Sequence, residues 1–508
     1  MLAEGFLFTD HYQLTMAQLY LRSGLAGRRA QFDHTFRSYP DYGHHQAGYC
    51  ISAGLTPLLE WMSSVRFADA EADALRGLTT STGDRLFGDD FVDWMLDNGR
   101  FDDVDLWAVP EGRVVHPLAP ITVVEAPLPI AQILETPLLN HRNFGTLIAT
   151  KASRVVESAH GGSVLEFGMR RAHGFGANGA TRAALIGGAD FSSNAGASLD
   201  LGFEPKGTHA HSMIQVFMAV AGGELEAFRA YAEVYPDDCL LLVDTIDTLE
   251  SGVPNAITVF QELRTKGHEP VGIRLDSGDL AHLAVRSAAM LDAAGFPDCR
   301  IVLSSQLDEL NIWQIRNQIL DEATRYGVDA DHLLRRMIYG VGSRMVVSEG
   351  DSLLDGVYKT VSAQNEQGES VPALKLSDSP AKSTLPGRKG VWRIYDERGR
   401  ATADLIALDG EPVEGTDLDL LHPSVPGVQR RLEAGEISRV EPLLQKFLER
   451  GRPVRANGNI EEARRRRIAD LELLDTGVRR LVNPHTYHVS ITPALHRLRE
   501  ELTRGYRS

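Results

Sequence analysis

Between about Gly162 and Tyr358 the chain repeats one hydrophobic rhythm: a short apolar run, a polar or glycine-rich break, then an amphipathic stretch. "SVLEFGMRR", "LLLVDTIDT", "VGIRLDSGDL", "RIVLSSQLDE" and "MIYGVGS" each open such a unit. The breaks at Asp244, Asp276, Ser304 and Gly340 are spaced by 32, 28 and 36 residues, about the length of a strand, a helix and two short loops. Within one unit, "LAHLAVRSAAMLDAAG" sets Leu280, Leu283, Ala284, Met290 and Leu291 near one helical face and ends on Gly295, a C-cap residue. The pattern predicts repeated βα units and a parallel sheet, and leaves open whether the units close into a barrel.

The flanks differ in texture. The first begins with a helical stretch, "HYQLTMAQLYLRSG", and continues to "VPEGRVVHPLAPITVVEAPLPI", whose alternation and prolines predict antiparallel strands at a sheet edge. Beyond residue 361 come a polar hairpin-like stretch, the connector "LDGEPVEGTDLDLLHPSVPG" and helical segments. The expected division is an N-terminal α+β domain (1–145), an α/β domain (146–360) and a C-terminal region (361–508). The run Arg464 to Arg467 after "IEEA" reads as a solvated helical face with i,i+4 ion pairs.

Composition narrows the function. At 508 residues, 43% hydrophobic and 24% charged, the chain reads as a soluble multidomain enzyme. A formal charge of −17 argues against nucleic-acid or anionic-membrane partners, so an anionic substrate must meet a local basic pocket. Three scattered cysteines, Cys50, Cys239 and Cys299, fit neither a disulfide framework nor a zinc site. The start, "MLAEGFLFTD", lacks signal-peptide character and no run reaches the ~20 apolar residues of a membrane span, so the expectation is a cytoplasmic protein.

In parallel α/β folds ligands gather at the carboxyl ends of the strands. Arg170 and Arg171, Asp190 to Asn194, Asp244, Arg274 and Asp276, Ser304 and Ser305, and Gly340 to Ser343 fall there. Arginines, carboxylates and glycine turns on one rim suit a phosphorylated sugar: bidentate cations and backbone N–H groups for phosphates, carboxylates for a diol. Singly, Asp244 reads as a helix cap and "GVGS" as a tight turn. "GFGANG" follows "RRAH" rather than a strand, which argues against a dinucleotide fingerprint. His44 and His45 beside Asp41 read as a solvated loop rather than a metal site.

Twelve ordered blocks, among them "FTDHYQLTMAQLY", "LEFGMRRAHG", "AALIGGADFSSNAGA", "GTHAHSM", "IRLDSGDL", "SSQLDE", "YGVGSRM" and "KLSDSPAKSTLPGRKGVWR", resemble the nicotinate phosphoribosyltransferase family over nearly the whole chain. The resemblance implies an irregular, TIM-like α/β barrel of the type II phosphoribosyltransferase kind, an additional α+β domain formed by N- and C-terminal segments, and a homodimer with shared active sites. It implies condensation of nicotinate with phosphoribosyl pyrophosphate to nicotinate mononucleotide and pyrophosphate, coupled to ATP hydrolysis.

Carried over position by position, the resemblance makes His211 the histidine phosphorylated by ATP, with Asp244 as its carboxylate partner, and leaves His209 a structural or rim residue. A neutral imidazole is a competent nucleophile near pH 7 when a carboxylate fixes its tautomer. Phe167 and Tyr12, the latter from the partner subunit, would sandwich the pyridine ring. Arg170 and Arg274 would contact the nicotinyl carboxylate or phosphates, and Asp276 the ribose hydroxyls of an oxocarbenium-like sugar. Ser193 and Thr208 fall among the substrate-binding blocks. Gly340, Gly342 and Ser343 would cradle the 5′-phosphate, and Lys359, Lys382 and Lys389 are candidates for the ATP or pyrophosphate phosphates. Mg2+ would arrive on the phosphates rather than in a protein cage. Ser192 stands where nicotinamide-using relatives carry an aspartate, which permits an anionic base. The rivals are a nicotinamide or quinolinate phosphoribosyltransferase, a non-catalytic paralogue and a Schiff-base barrel lyase.

Overall fold

The structure, a computed structural model, describes residues 2–350, 353–376 and 384–507. It divides into two compact units, Met1–Thr150 with Leu353–Ser508, and Lys151–Ser352. The boundaries fall within the helix Glu135–Ala159 and just before the strand Gly356–Gln364.

The second unit is built on six parallel strands in the spatial order Phe191–Ser192, Ser163–Glu166, Met337–Val341, Arg300–Leu303, Gly272–Leu275 and Leu240–Leu242. Their short apolar runs are buried on both faces, as a sheet covered by helices demands. The helices Gly176–Ile186, Val253–Thr265, Leu280–Ala293 and Glu309–Glu322 follow the strands. Asp279 and Asp308 cap two of them by accepting from the amides of His282 and Asn311. Gly295, at φ +86, ends the first of these just past its C-cap, as the pattern anticipates.

Among the described residues no ladder joins the outer strands Phe191–Ser192 and Leu240–Leu242. An irregular segment spans the gap: the Lys206 amide donates to the Ser192 carbonyl (2.9 Å), and the Leu242 amide donates to His209 Nε2 (3.0 Å). The barrel is therefore irregular because one join is made by a loop and an imidazole rather than by strands.

The first unit interleaves both ends of the chain. Strand Arg29–Phe36 lies between Gly356–Gln364 and Thr122–Pro127, antiparallel to each, in a seven-stranded sheet. Thr122–Pro127 is thus central rather than at an edge: Pro120 precedes it and Pro127 is its last residue, so no proline removes a donor from the middle of its ladder. A second, six-stranded sheet comes from the C-terminal segment. A buried ion network ties the segments together, with Asp470 accepting from Arg113 Nε (2.8 Å) and from Arg393 Nη1 (3.2 Å).

Two surface readings are corrected here. Arg464 and Arg466 do pair with Glu461 and Glu462, but Arg467 is buried, because the helix Ile460–Leu473 turns that position inward. His45 is buried against the Tyr42 ring rather than solvated, and no group of three or more potential metal ligands occurs among the described residues.

Candidate active site

At the carboxyl ends of the parallel strands the second unit opens a cleft lined by Phe167, Arg170, Arg171, Arg274, Asp276, Ser304, Ser305, Gln306, Gly340, Gly342, Ser343, Arg344 and Glu349. Four arginines converge there on a chain whose net charge is −17. Such a cleft concentrates anions that the rest of the surface repels.

Phe167 leaves the strand Ser163–Glu166 and is 7% exposed. Its ring occupies the space that a side chain at 340 would fill: a Cβ on Gly340 would lie 2.6 Å from ring carbons Cδ2 and Cε2. The guanidinium of Arg274 lies 5.4 Å from the ring centroid. Arg170 and Arg171 follow on the exposed turn Met169–Arg171.

Arg274 and Asp276 alternate along one strand end, so both point into the cleft. Arg274 donates from Nε to Ser304 Oγ (2.8 Å), from Nη1 to Thr208 Oγ1 (3.3 Å) and from Nη2 to Asp276 Oδ1 (3.1 Å). Ser304 Oγ–H in turn donates to Asp276 Oδ1. These three bonds orient the Arg274 guanidinium and leave one N–H on each of Nη1 and Nη2 for an anion. Ser305 and Gln306 hold φ of 96° and 46°, left-handed conformations that cost non-glycine residues about 1–3 kcal/mol each and concentrate at ligand sites.

His211 opens the helix His211–Val220 with its side chain 36% exposed, while Asp244 is 1% exposed. His211 Nε2 and Asp244 Oδ1 are 3.0 Å apart. The second oxygen of Asp244 accepts from the Asp276 amide (3.0 Å) and from Ser277 Oγ (2.6 Å). With Nε2–H donated to the carboxylate, Nδ1 keeps its lone pair for an electrophile. His209 serves the architecture: burial pushes its imidazole down to about 4, the neutral ring accepts from Leu242, and it packs on Tyr231.

Ser192 does not line the cleft. It is fully buried, donating from Oγ to Glu166 Oε2 (2.5 Å) and accepting from the Asn194 amide (3.0 Å). Ser193 donates its amide to the Glu166 carbonyl (2.9 Å) and is also outside the cleft lining. Gln306, Arg344, Ser277 and Glu166 carry no signal at sequence level that sets them apart from ordinary loop or strand residues.

The remaining assignments lie in the first unit. Tyr12 is 51% exposed on the helix His11–Arg22. Lys359 lines a pocket with Arg37, Lys375 and Thr384, its Nζ 3.2 Å from Glu135 Oε1. Lys389 is buried, its ammonium 2.8 Å from Asp33 Oδ2 and 2.9 Å from the Gly387 carbonyl; burial pushes its proton affinity down while Asp33 opposes the shift. Lys382 lies outside the described residues. Arg37 and Lys375 were not distinguishable in sequence from surface cations.

The chain is similar to known proteins over most of its length. Residues 7–143 match the N-terminal domain of nicotinate phosphoribosyltransferase, and residues 388–499 its C-terminal domain. The chain is 38% identical over 421 residues to the nicotinate phosphoribosyltransferase of Bacillus subtilis (strain 168), spanning 82% of this chain and 79% of that protein. It is 30% identical over 551 residues to the Homo sapiens protein of the same name, spanning 98% and 97%. The crystal structure of human nicotinic acid phosphoribosyltransferase superimposes with a TM-score of 0.78 at 28% identity, over 97% of this chain and 99% of that one. A nicotinate-nucleotide pyrophosphorylase from Pyrococcus furiosus shares the fold, with a TM-score of 0.64 at 21% identity over 93% and 96% of the two chains.

Proposed function

Since the chain belongs to the nicotinate phosphoribosyltransferase family, we propose that it joins nicotinate to 5-phosphoribosyl 1-pyrophosphate, releasing nicotinate mononucleotide and pyrophosphate in NAD biosynthesis. The observation that carries this reading is the cleft in which Phe167 and Asp276 meet four arginines, Arg274 among them, and a glycine-rich turn. Phe167 offers an aromatic face to the pyridine ring. Arg274 and Arg170 face its carboxylate or the phosphates. Asp276, its Oδ1 held by Arg274 and Ser304, keeps Oδ2 for the ribose hydroxyls and stabilises positive charge on the sugar as pyrophosphate departs. The backbone at Gly340, Gly342 and Ser343 receives the 5′-phosphate.

Coupling to ATP belongs to the same proposal. It is supported by the His211–Asp244 pair, which leaves Nδ1 as the nitrogen able to take a phosphoryl group. Lys359, Lys375 and Arg37 fit the polyphosphate. Lys389 lines the same pocket with its ammonium held by Asp33. Magnesium, which keeps its waters and needs few carboxylates, would arrive on the substrate phosphates and supply charge neutralisation there. Because Ser192 is buried outside the cleft, the preference for an anionic base rests on the four arginines that line it.

The same reading includes a homodimer in the cytoplasm. Its support is the apolar surface on the helices Ala195–Asp200 and His211–Val220, where Leu199, Val216, Met218 and Val220 are 67%, 58%, 48% and 80% exposed. No helix among the described residues is long and apolar enough to cross a membrane.

The test is formation of labelled mononucleotide from phosphoribosyl pyrophosphate with nicotinate or nicotinamide, each with and without ATP. Nicotinate turnover raised by ATP is expected. Turnover of neither base would overturn the proposal, and preference for nicotinamide would overturn the acid assignment. Light scattering across a dilution series tests the dimer.

A further inference from the structure

Glu166 is fully buried at the end of its strand, and nothing in the reaction uses it. Every group facing its carboxylate is a donor: the Gly168 amide to Oε1, and to Oε2 the hydroxyls of Thr181 (3.1 Å) and Ser192 (2.5 Å). Burying a carboxylate is costly unless donors satisfy it, so an arrangement of this kind persists where it fixes something. What it fixes is the turn immediately after it. The Gly168 amide is the link between Phe167 and the Met169–Arg171 turn, and a side chain at 168 is impossible because a Cβ would lie 2.2 Å from Val346 Cγ1. Phe167 donates its own amide to the Val341 carbonyl (2.8 Å), and its ring lies 5.4 Å from the Arg274 guanidinium.

We propose that Glu166 is a positioning residue for the pyridine-binding corner: through the Gly168 amide it sets where the Phe167 ring and Arg170 stand, and through Ser192 and Thr181 it locks that corner to the neighbouring strand and helix. The inference rests on the reading of the cleft as a nicotinate site. It makes recognition of the base, and not of the sugar phosphate, depend on a side chain that touches neither. The Asn194 amide on Ser192 Oγ and Asn194 Nδ2 on Thr181 Oγ1 (3.2 Å) extend the lock to the start of the next helix.

The experiment compares Glu166→Met, which keeps length but no acceptor, with Glu166→Gln, whose carbonyl can still take the Gly168 amide. In the Met variant the KM for nicotinate rises at least about tenfold, while the KM for phosphoribosyl pyrophosphate and ATP-dependent labelling of His211 stay within about twofold. The Gln variant recovers most of the nicotinate affinity. Amide exchange in segment 167–172 accelerates in the Met variant and not in the Gln variant. A folded Met variant with unchanged KM for nicotinate, or with both KM values rising together, would overturn the proposal. If the Met variant does not fold, Glu166→Asp decides: one methylene too short to reach both Gly168 and the hydroxyls, it is expected to raise the nicotinate KM alone, and an unchanged value sinks the idea. Should the wild type turn over neither base, the reading of the cleft fails by itself, and the exchange rates at 167–172 still show whether Glu166 holds the corner.

Discussion

His211 and Asp244 stand 3.0 Å apart through Nε2 and Oδ1, and the other oxygen of Asp244 is held by the backbone of Asp276. The carboxylate that orients the imidazole is therefore itself oriented by the residue proposed to hold the sugar.

Breaking either end of this pair separates ATP coupling from transfer. His211→Ala should abolish stimulation by ATP and leave slow ATP-independent formation of mononucleotide. Asp244→Asn, whose carbonyl stays with the Asp276 amide and the Ser277 hydroxyl and whose NH2 then faces Nε2, should slow phosphoryl labelling of His211 by at least about a hundredfold. Full activation of the His211 variant by ATP would refute the role.

Gly340→Ala tests the aromatic wall. The added methyl would meet Phe167 at 2.6 Å, so the ring must move. The expected result is a KM for nicotinate raised about tenfold or more with the protein still folded. Steady-state kinetics with each substrate varied checks it.

Two lysines proposed for phosphate contact should behave oppositely. Lys389→Met leaves Asp33 buried without its ion pair and should cost about 3–5 kcal/mol of stability. Lys359→Met, half-exposed beside Glu135, should change stability by less than about 1 kcal/mol and weaken ATP or phosphoribosyl pyrophosphate. Denaturant melts and KM values together separate the two.

Acid should loosen the barrel through His209. Its imidazole titrates near 6.5 unfolded and is pushed down to about 4 when folded, by burial. Between those values the unfolded state binds more protons, so stability rises with pH across the window and is lost as pH falls from about 6.5 to 4. The loss is up to roughly 3 kcal/mol, less for the part of the ring that water reaches. His209→Gln, whose carbonyl can accept from Leu242, should flatten the slope of melting temperature against pH.

The cysteines should be inert. Cys50, Cys239 and Cys299 are buried, and burial pushes the thiols of Cys239 and Cys299 up to about 12. At pH 8 only about one in ten thousand of those two would be thiolate. Mass spectrometry after alkylation should find them unmodified in the native protein and fully modified after unfolding.

Much of the cleft was legible because strand-end chemistry repeats. Asp244, Asp276, Ser304 and Gly340 fall at the ends of successive apolar runs, and a parallel sheet brings such ends together. What was not legible depends on where a side chain's partner comes from. Ser192 looks like a substrate contact in sequence, but its proton goes to Glu166, 26 residues earlier. Lys389 looks like a phosphate ligand, but its ammonium meets Asp33 from the opposite end of the chain. Thr122–Pro127 looks like an edge strand because its prolines are visible, whereas it is flanked by the nearby Asp105–Ala108 on one side and by the distant Arg29–Phe36 on the other. Periodicity reports which face of an element is apolar and says nothing of which distant polar group will meet it.

The loop joint between Ser192 and Leu242 has an evolutionary and engineering consequence. Lys206 to His209 is fastened at both ends, and His211 follows two residues later. Chemistry and architecture thus share one short piece of backbone. Inserting or deleting residues within it would shift His211 against Asp244 and unfasten the seam at once. Changes in length between the two outer strands are tolerable only outside 206–211, and a tag or inserted domain placed within it would open the seam and part His211 from Asp244 together.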